Sequence, residues 1–186
     1  MVTTSLVKEL REQTGAGIMD CKRALEESGG DLKKAVDMLR QTGLAKADKK
    51  LGRAALQGVI ETYVHAGGRI ASMIELNCET DFVARTPDFK TLAREIAMQV
   101  AAMNPRYVRA SAVPDQAWAG LESEFGDRKK AAEAVCLYEQ AFIRDPKVSI
   151  EELIRETVAK LGENIQVYRF ARFEVGADRA GADADE

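Results

Sequence analysis

Histidine is almost missing from this chain: His65 is the only one in 186 residues. A histidine-rich metal site or a two-histidine motif is therefore excluded. Cysteine is scarce as well. Cys21, Cys78 and Cys136 are far apart, odd in number, and give no Cys-x-x-Cys pair. They read as small buried apolar residues of a protein kept in a reducing, cytoplasmic setting. No apolar run approaches the length of a membrane span. Met1-Val2-Thr3-Thr4-Ser5 has no charged flank followed by an apolar block, so it does not read as a secretion signal, nor is it Arg-rich like a transit peptide. Excess positive charge is missing too: the net charge is −3 and the sequence pI about 5.5. That balance gives no general reason to bind nucleic acid directly.

Catalytic signatures are equally sparse. Neither Gly-x-Gly-x-x-Gly nor Gly-x-x-x-x-Gly-Lys occurs, and there is no Gly-x-Ser-x-Gly elbow. Gly15-Ala16-Gly17 follows a helical pattern rather than a strand. The many carboxylates fall in no recognisable pair, and a thiol chemistry at Cys21 has no base partner in sight. The residues point to a protein that works by binding, without a cofactor or metal of its own.

What is present is a core. Hydrophobic residues make up 46% of the chain, ordinary for a globular protein. Thr3 or Thr4 can cap a first helix carrying Leu6, Val7 and Leu10, which Thr14-Gly15-Ala16-Gly17 breaks. A second helix carries Ile18, Cys21 and Leu25 on one face and ends near Ser28-Gly29-Gly30. Asp31 caps a third, with Leu32, Ala35, Val36 and Leu39 inward and Gly43 as its stop. Helices this short need one another, so residues 1–44 are predicted to form a three-helix module. A charged, basic linker, 45–56, contains Lys46, Lys49, Lys50 and Arg53.

From about residue 57 the pattern becomes that of a mixed core reaching residue 175. Gly58–His65 and Arg69–Cys78 read as a hairpin turning at Ala66-Gly67-Gly68, with Ile70, Ile74, Leu76 and Cys78 on one face. Thr86-Pro87 opens a helix that Asn104-Pro105 closes. Two helices parted near Gly126-Asp127 supply Trp118, Leu121, Phe125, Val135 and Leu137, and Asp145-Pro146 marks a turn. Ser149 and Glu152 form a capping box for a helix that Gly162 closes. A last strand, Asn164–Val175, alternates Ile165, Val167, Ala171 and Phe173 against Gln166 and Arg172. The Ala, Gly and acid tail, 176–186, is predicted to stay disordered. The fold class is α+β: a three-helix module, then a small antiparallel sheet of about three strands packed by helices. Such a sheet has two edges, and edges invite pairing with a second copy.

Asn77-Cys78-Glu79-Thr80-Asp81-Phe82-Val83-Ala84-Arg85 stands out. It runs off a strand toward a helix and places an acid beside a bulky aromatic at the switch. An exposed Phe there can fill an apolar pocket on a partner while its charged neighbour meets a polar group.

Three stretches carry a family resemblance. Ser5–Arg11 with Thr14-Gly15-Ala16-Gly17-Ile18-Met19-Asp20-Cys21-Lys22 and Ala24-Leu25 closely resembles the opening of the bacterial translation elongation factor Ts family. Asn77-Cys78-Glu79-Thr80-Asp81-Phe82-Val83-Ala84 resembles its second signature, and Lys160-Leu161-Gly162-Glu163-Asn164-Ile165 a third. The resemblance implies a ubiquitin-associated-like N-terminal module and a guanine nucleotide exchange factor for elongation factor Tu. It implies that Phe82 wedges near the partner's Mg²⁺ site, with Asp81 as polar neighbour and Thr80 and Val83 shaping the loop. It also implies partner contacts by Arg11, Ile18, Met19 and Lys22 on the module, by Lys50 in the linker, and by Leu161 and Gly162 at a helix end. Long family members carry two core halves, and this chain has room for one. The short form implies a homodimer and a 2:2 complex with elongation factor Tu. An interaction adaptor is the alternative, since three-helix modules often only bind proteins; an adaptor has no need of the Asp81-Phe82 loop.

Overall fold

The computed structural model describes residues 2–177, and the fold is α+β, as the patterning predicts. Its elements run in the order α1 (Thr4–Thr14), α2 (Ile18–Glu27), α3 (Leu32–Asp48), β1 (Gln57–Val64), β2 (Ile70–Cys78), α4 (Asp81–Ala84), α5 (Pro87–Met103), α6 (Asp115–Phe125), α7 (Arg128–Val135), β3 (Ala141–Phe142), β4 (Asp145–Ser149), α8 (Ile150–Leu161) and β5 (Ile165–Glu174). Most of the predicted acidic tail, 178–186, lies outside the described residues.

The helix starts follow from local chemistry. Thr3, Asp31, Thr86, Asp127 and Ser149 each accept a backbone N–H from the first turn, and Pro87 sits where its missing N–H costs nothing. Ser149 and Glu152 form the full reciprocal capping box. In the first three helices Leu10, Cys21, Ala24, Leu25 and Ala35 close a small core of their own. Ile18, expected on the inner face of α2, opens that helix instead and is 56% exposed.

The third helix does not stop at Gly43. It continues through it to Asp48. The reason is packing: a Cβ on Gly43 would stand 3.1 Å from the Cβ of Ala159 in α8. Gly43 therefore lets two helices cross closely and does not break one. Arg40–Glu156 at 2.6 Å and Arg155–Asp48 at 2.6 Å flank the crossing.

The main sheet has the order β1-β2-β5, antiparallel throughout. One face packs on α5 and α8 through Ile74, Leu76, Ile165 and Val167, with Phe89, Ile96 and Val100 of α5 beneath. Ser72 and Arg172 on this face donate to the carbonyls of Ala97 and Ala101 in α5. The alternation predicted for the last strand fails halfway along it. Glu75 pairs with Arg169 but Leu76 with Val167, so Tyr168 is an extra residue in β5. One such bulge exchanges the two faces beyond it. Phe170 and Arg172 turn inward, while Ala171 and Phe173, expected inside, turn out. The outer face consequently carries Ile60, Val64, Met73, Tyr168 and Phe173, the last 69% exposed.

Helices α6 and α7 close a separate cluster on Trp118, Leu121 and Val135. Asp145 and Pro146 do not form the turn predicted for them. They begin β4, which pairs with β3 across Ile143-Arg144. Buried Gln99 of α5 fixes this small hairpin by donating to the Ala141 carbonyl at 3.0 Å and accepting from the Ile143 N–H at 2.9 Å.

Candidate functional site

The segment after β2 is not an open loop. Thr80 takes an extended conformation and caps a single helical turn, α4, by accepting from the Val83 N–H at 3.4 Å. Within that turn Val83 packs against the main core and Ala84 is buried. These anchor one side of the turn. Phe82, on the other side, is 78% exposed. Asp81 pairs with Arg85 at 2.6 Å, both side chains facing solvent. An aromatic ring thus stands in water beside a carboxylate. At 78% exposure this Phe leaves about 1–2 kcal/mol of possible burial unrealised.

Cys78, at the end of β2, is fully buried. Burial first, then the nearby Glu163 carboxylate, pushes its thiol up to about 11. It remains a neutral thiol that donates to the Thr80 carbonyl at 3.1 Å, and so braces the turn without reacting.

The turn meets the end of α8. Glu163 accepts from the Thr80 N–H at 2.9 Å and from the Thr80 hydroxyl at 2.6 Å. Glu79 accepts from the Asn164 N–H at 2.7 Å. Gly162 takes the left-handed conformation, φ 79°, that closes α8. Its carbonyl accepts from Lys50 Nζ, so a cation lies at the negative end of that helix. Leu161 is half-buried and packs on the main core. Lys50, Leu161 and Gly162, expected as partner contacts, therefore stand together at the end of α8, immediately before Glu163, which holds Thr80.

The residues expected on the module stand elsewhere. Met19 is 73% exposed, and Ile18 and Arg11 also face solvent. Lys22 is exposed and lies 3.8 Å from Glu26. The turn between α1 and α2 reaches the core at Lys160. A Cβ on Gly15 would touch that side chain's carbons at 3.4 Å, while Lys160 Nζ pairs with Asp88 of α5 at 2.7 Å. The end of α8 is thus flanked by the module's turn on one side and by the Thr80–Val83 turn on the other. A groove of about 600 Å³ separates module from core, with Arg40, Lys46, Glu156 and Lys160 among its lining. It lies at the module junction, away from Phe82.

Sequence reasoning assigned no role to Glu79, Glu163, Arg53 or Lys160. The signal was present for three of them, since Glu79, Lys160 and Glu163 lie inside the recognised stretches. Among the described residues no cluster of His, Cys, Asp or Glu could hold a metal ion, and no helix is long and apolar enough to cross a membrane.

Comparison with known proteins points to the same family. A sequence model of the family described as Elongation factor TS matches residues 45–125 and 124–177. Elongation factor Ts of Carboxydothermus hydrogenoformans is 48% identical, over 100% of this chain and 94% of that protein. The one from Syntrophomonas wolfei is 52% identical over 95% of this chain and 91% of its own length. That of Thermotoga neapolitana is 49% identical over 95% and 98%. This chain covers more than nine-tenths of the length of each of these relatives. Matched by the family model from residue 45 to residue 177, and along nearly its whole length by these relatives, the chain belongs to the elongation factor Ts family.

Proposed function

We propose that this protein is a guanine nucleotide exchange factor for elongation factor Tu in translation elongation, acting by binding and without covalent chemistry. The observation that carries the reading is Phe82: a large aromatic, 78% exposed, on a helical turn whose other side is anchored in the core. In this reading Phe82 enters the partner's GTPase domain near its Mg²⁺ site. Asp81 is the polar neighbour, and Thr80 and Val83 hold the turn. Residues 1–44 act as a docking module presenting Arg11, Ile18, Met19 and Lys22. Residues 45–56 connect it to the core, 57–175; Lys50 in the connector and Leu161 and Gly162 in the core add contacts near the wedge.

Exchange is then a matter of linkage. A factor that lowers the affinity of the partner for GDP is bound less tightly by the GDP form, by the same ratio. Burial of the exposed part of the Phe82 ring contributes roughly 1–2 kcal/mol toward displacing the groups that hold metal and phosphate. Loss of the metal removes the largest positive charge beside the diphosphate. GDP leaves, and GTP binding expels the factor.

Two copies are proposed to work together in a 2:2 complex. The outer face of the sheet supports this better than its edges do, because Ile60, Val64, Met73, Tyr168 and Phe173 are all exposed there and cluster on one surface. The Val167 N–H on edge strand β5 is already taken by the buried Tyr138 hydroxyl at 3.0 Å.

The deciding measurement is release of fluorescent GDP from elongation factor Tu. The native chain accelerates release, and Phe82→Ala loses most of the acceleration. Release unchanged by native protein would sink the exchange reading. A Phe82→Ala variant as active as the native chain would remove the wedge and leave an exchange factor working through other contacts.

A further inference from the structure

We propose that Glu163 is a positioning residue for exchange: its carboxylate fixes Thr80, and through the turn that Thr80 caps it sets where the Phe82 ring stands. The role rests on the exchange reading above.

Phe82 has little to hold it in place. Its side chain is 78% exposed, so its position depends on the backbone of α4. That helix is only four residues long, Asp81–Ala84, far below the length at which a helix persists by itself. Something outside it must fix its start. Thr80, the capping residue, donates its hydroxyl proton to Glu163 Oε1 at 2.6 Å and its backbone N–H to Glu163 Oε2 at 2.9 Å. With that proton committed to the carboxylate, the hydroxyl oxygen presents a lone pair to the Val83 N–H, 3.4 Å away. Both bonds to Glu163 involve an ionised acceptor, which makes them the stronger kind. The carboxylate thereby selects the hydroxyl orientation that caps the turn.

The grip is reciprocal. Glu79, one residue before Thr80, accepts from the Asn164 N–H at 2.7 Å, and the Asn164 side chain donates to the Arg53 carbonyl at 2.7 Å. Each segment thus lends a carboxylate to the other's backbone, and the two turns are held as one body. Gly162 sets the approach: its φ of 79° redirects the chain just before Glu163, a conformation that L side chains rarely adopt. Lys50 secures the same point from the connector.

The test measures GDP release from elongation factor Tu against increasing factor, for the native chain, Glu163→Ala, Glu163→Gln, Phe82→Ala and the Glu163→Ala/Phe82→Ala pair. A ring that wanders lowers the saturating rate more than the half-saturating concentration. Glu163→Ala is expected to lower the saturating rate roughly tenfold or more, with half-saturation changed less than about twofold. Glu163→Gln keeps the shape and one acceptor, and recovers part of that rate. In the Phe82→Ala background, Glu163→Ala produces no further loss, because the two act as a unit. Thr80→Val, which keeps the N–H and removes only the hydroxyl, reproduces part of the defect if Glu163→Ala does not fold. Losses that multiply in the double variant overturn the positioning role, as does a Glu163→Ala defect confined to half-saturation. A native chain without exchange activity overturns the exchange reading and this role with it. An active native chain with an unimpaired Glu163→Ala overturns this role alone.

Discussion

Phe173→Ala tests the proposed dimer and the bulge in β5 together. Unbroken alternation along that strand puts Phe173 in the core; the extra residue at Tyr168 puts it outside, 69% exposed. Fully burying a Phe side chain is worth about 1.5–3 kcal/mol. Scaled to the fraction still exposed, a second copy covering this face would gain about 1–2 kcal/mol per ring. A two-fold interface uses the same residue twice, so the variant loses about 2–4 kcal/mol of dimer stability. The dimer dissociation constant then rises roughly thirty- to several-hundredfold. Sedimentation velocity over a range of concentrations reads this directly, with the native chain sedimenting at twice the chain mass. The melting temperature of the separated variant chains changes little, because Phe173 contributes little to the monomer core. Phe170→Ala is the contrast: that ring faces inward and packs on the main core, so its loss destabilises the fold itself. A native chain that stays monomeric at high micromolar concentration refutes the interface. So does a Phe173→Ala dimer as tight as the native one. A Phe173→Ala chain that unfolds early, beside an unaffected Phe170→Ala, refutes the bulge.

Other outcomes follow from the same structure. Phe82→Ala, at a side chain 78% exposed, should leave the unfolding free energy within about 0.5 kcal/mol of native in urea titration while impairing GDP release. Gly43→Leu drives a side chain into Ala159; overpacking of that kind costs about 1–3 kcal/mol, read as a lower urea midpoint. Ser149→Ala removes the capping box of α8 and should cost about 1 kcal/mol by the same titration. Burial pushes the Cys78 and Cys136 thiols from 9.0 up to about 11. Both should resist alkylation at pH 8 until denaturant is added. The folded state favours their protonated form, so this contribution to stability is complete below about pH 9 and is lost as the pH climbs toward 11, which melting curves across that range would show.

The sequence was most legible where a structure is decided within a few residues. The caps at Thr3, Asp31, Thr86 and Ser149 could be read because the hydroxyl or carboxylate and the N–H it satisfies lie three residues apart. The exposed position of Phe82 was legible through the recognised stretch around it. Three features were hidden because their cause lies far along the chain. Gly43 looks like a stop until Ala159 is placed against it. The bulge at Tyr168 depends on how β5 registers against β2, and alternation within β5 alone gives no sign of it. The grip of Glu163 on Thr80 joins residues 83 positions apart. The α4 turn was missed for a related reason: four residues are too few for periodicity to show.

The unbroken course of α3 also makes residue counting a matter of direction. One helix leaves the module's core at Ala35 and passes the crossing at Gly43 before ending at Asp48 beside Arg155. In such a helix each residue turns the chain by about 100° and advances it by about 1.5 Å. Deleting one residue between Leu39 and Gly43 would swing Ile18 and Met19 about a quarter-turn around the axis of α3. Adding four would return them nearly to the same bearing, only about 6 Å farther out. Any length change in this segment therefore resets the bearing or the reach of the module and pulls its first turn away from Lys160.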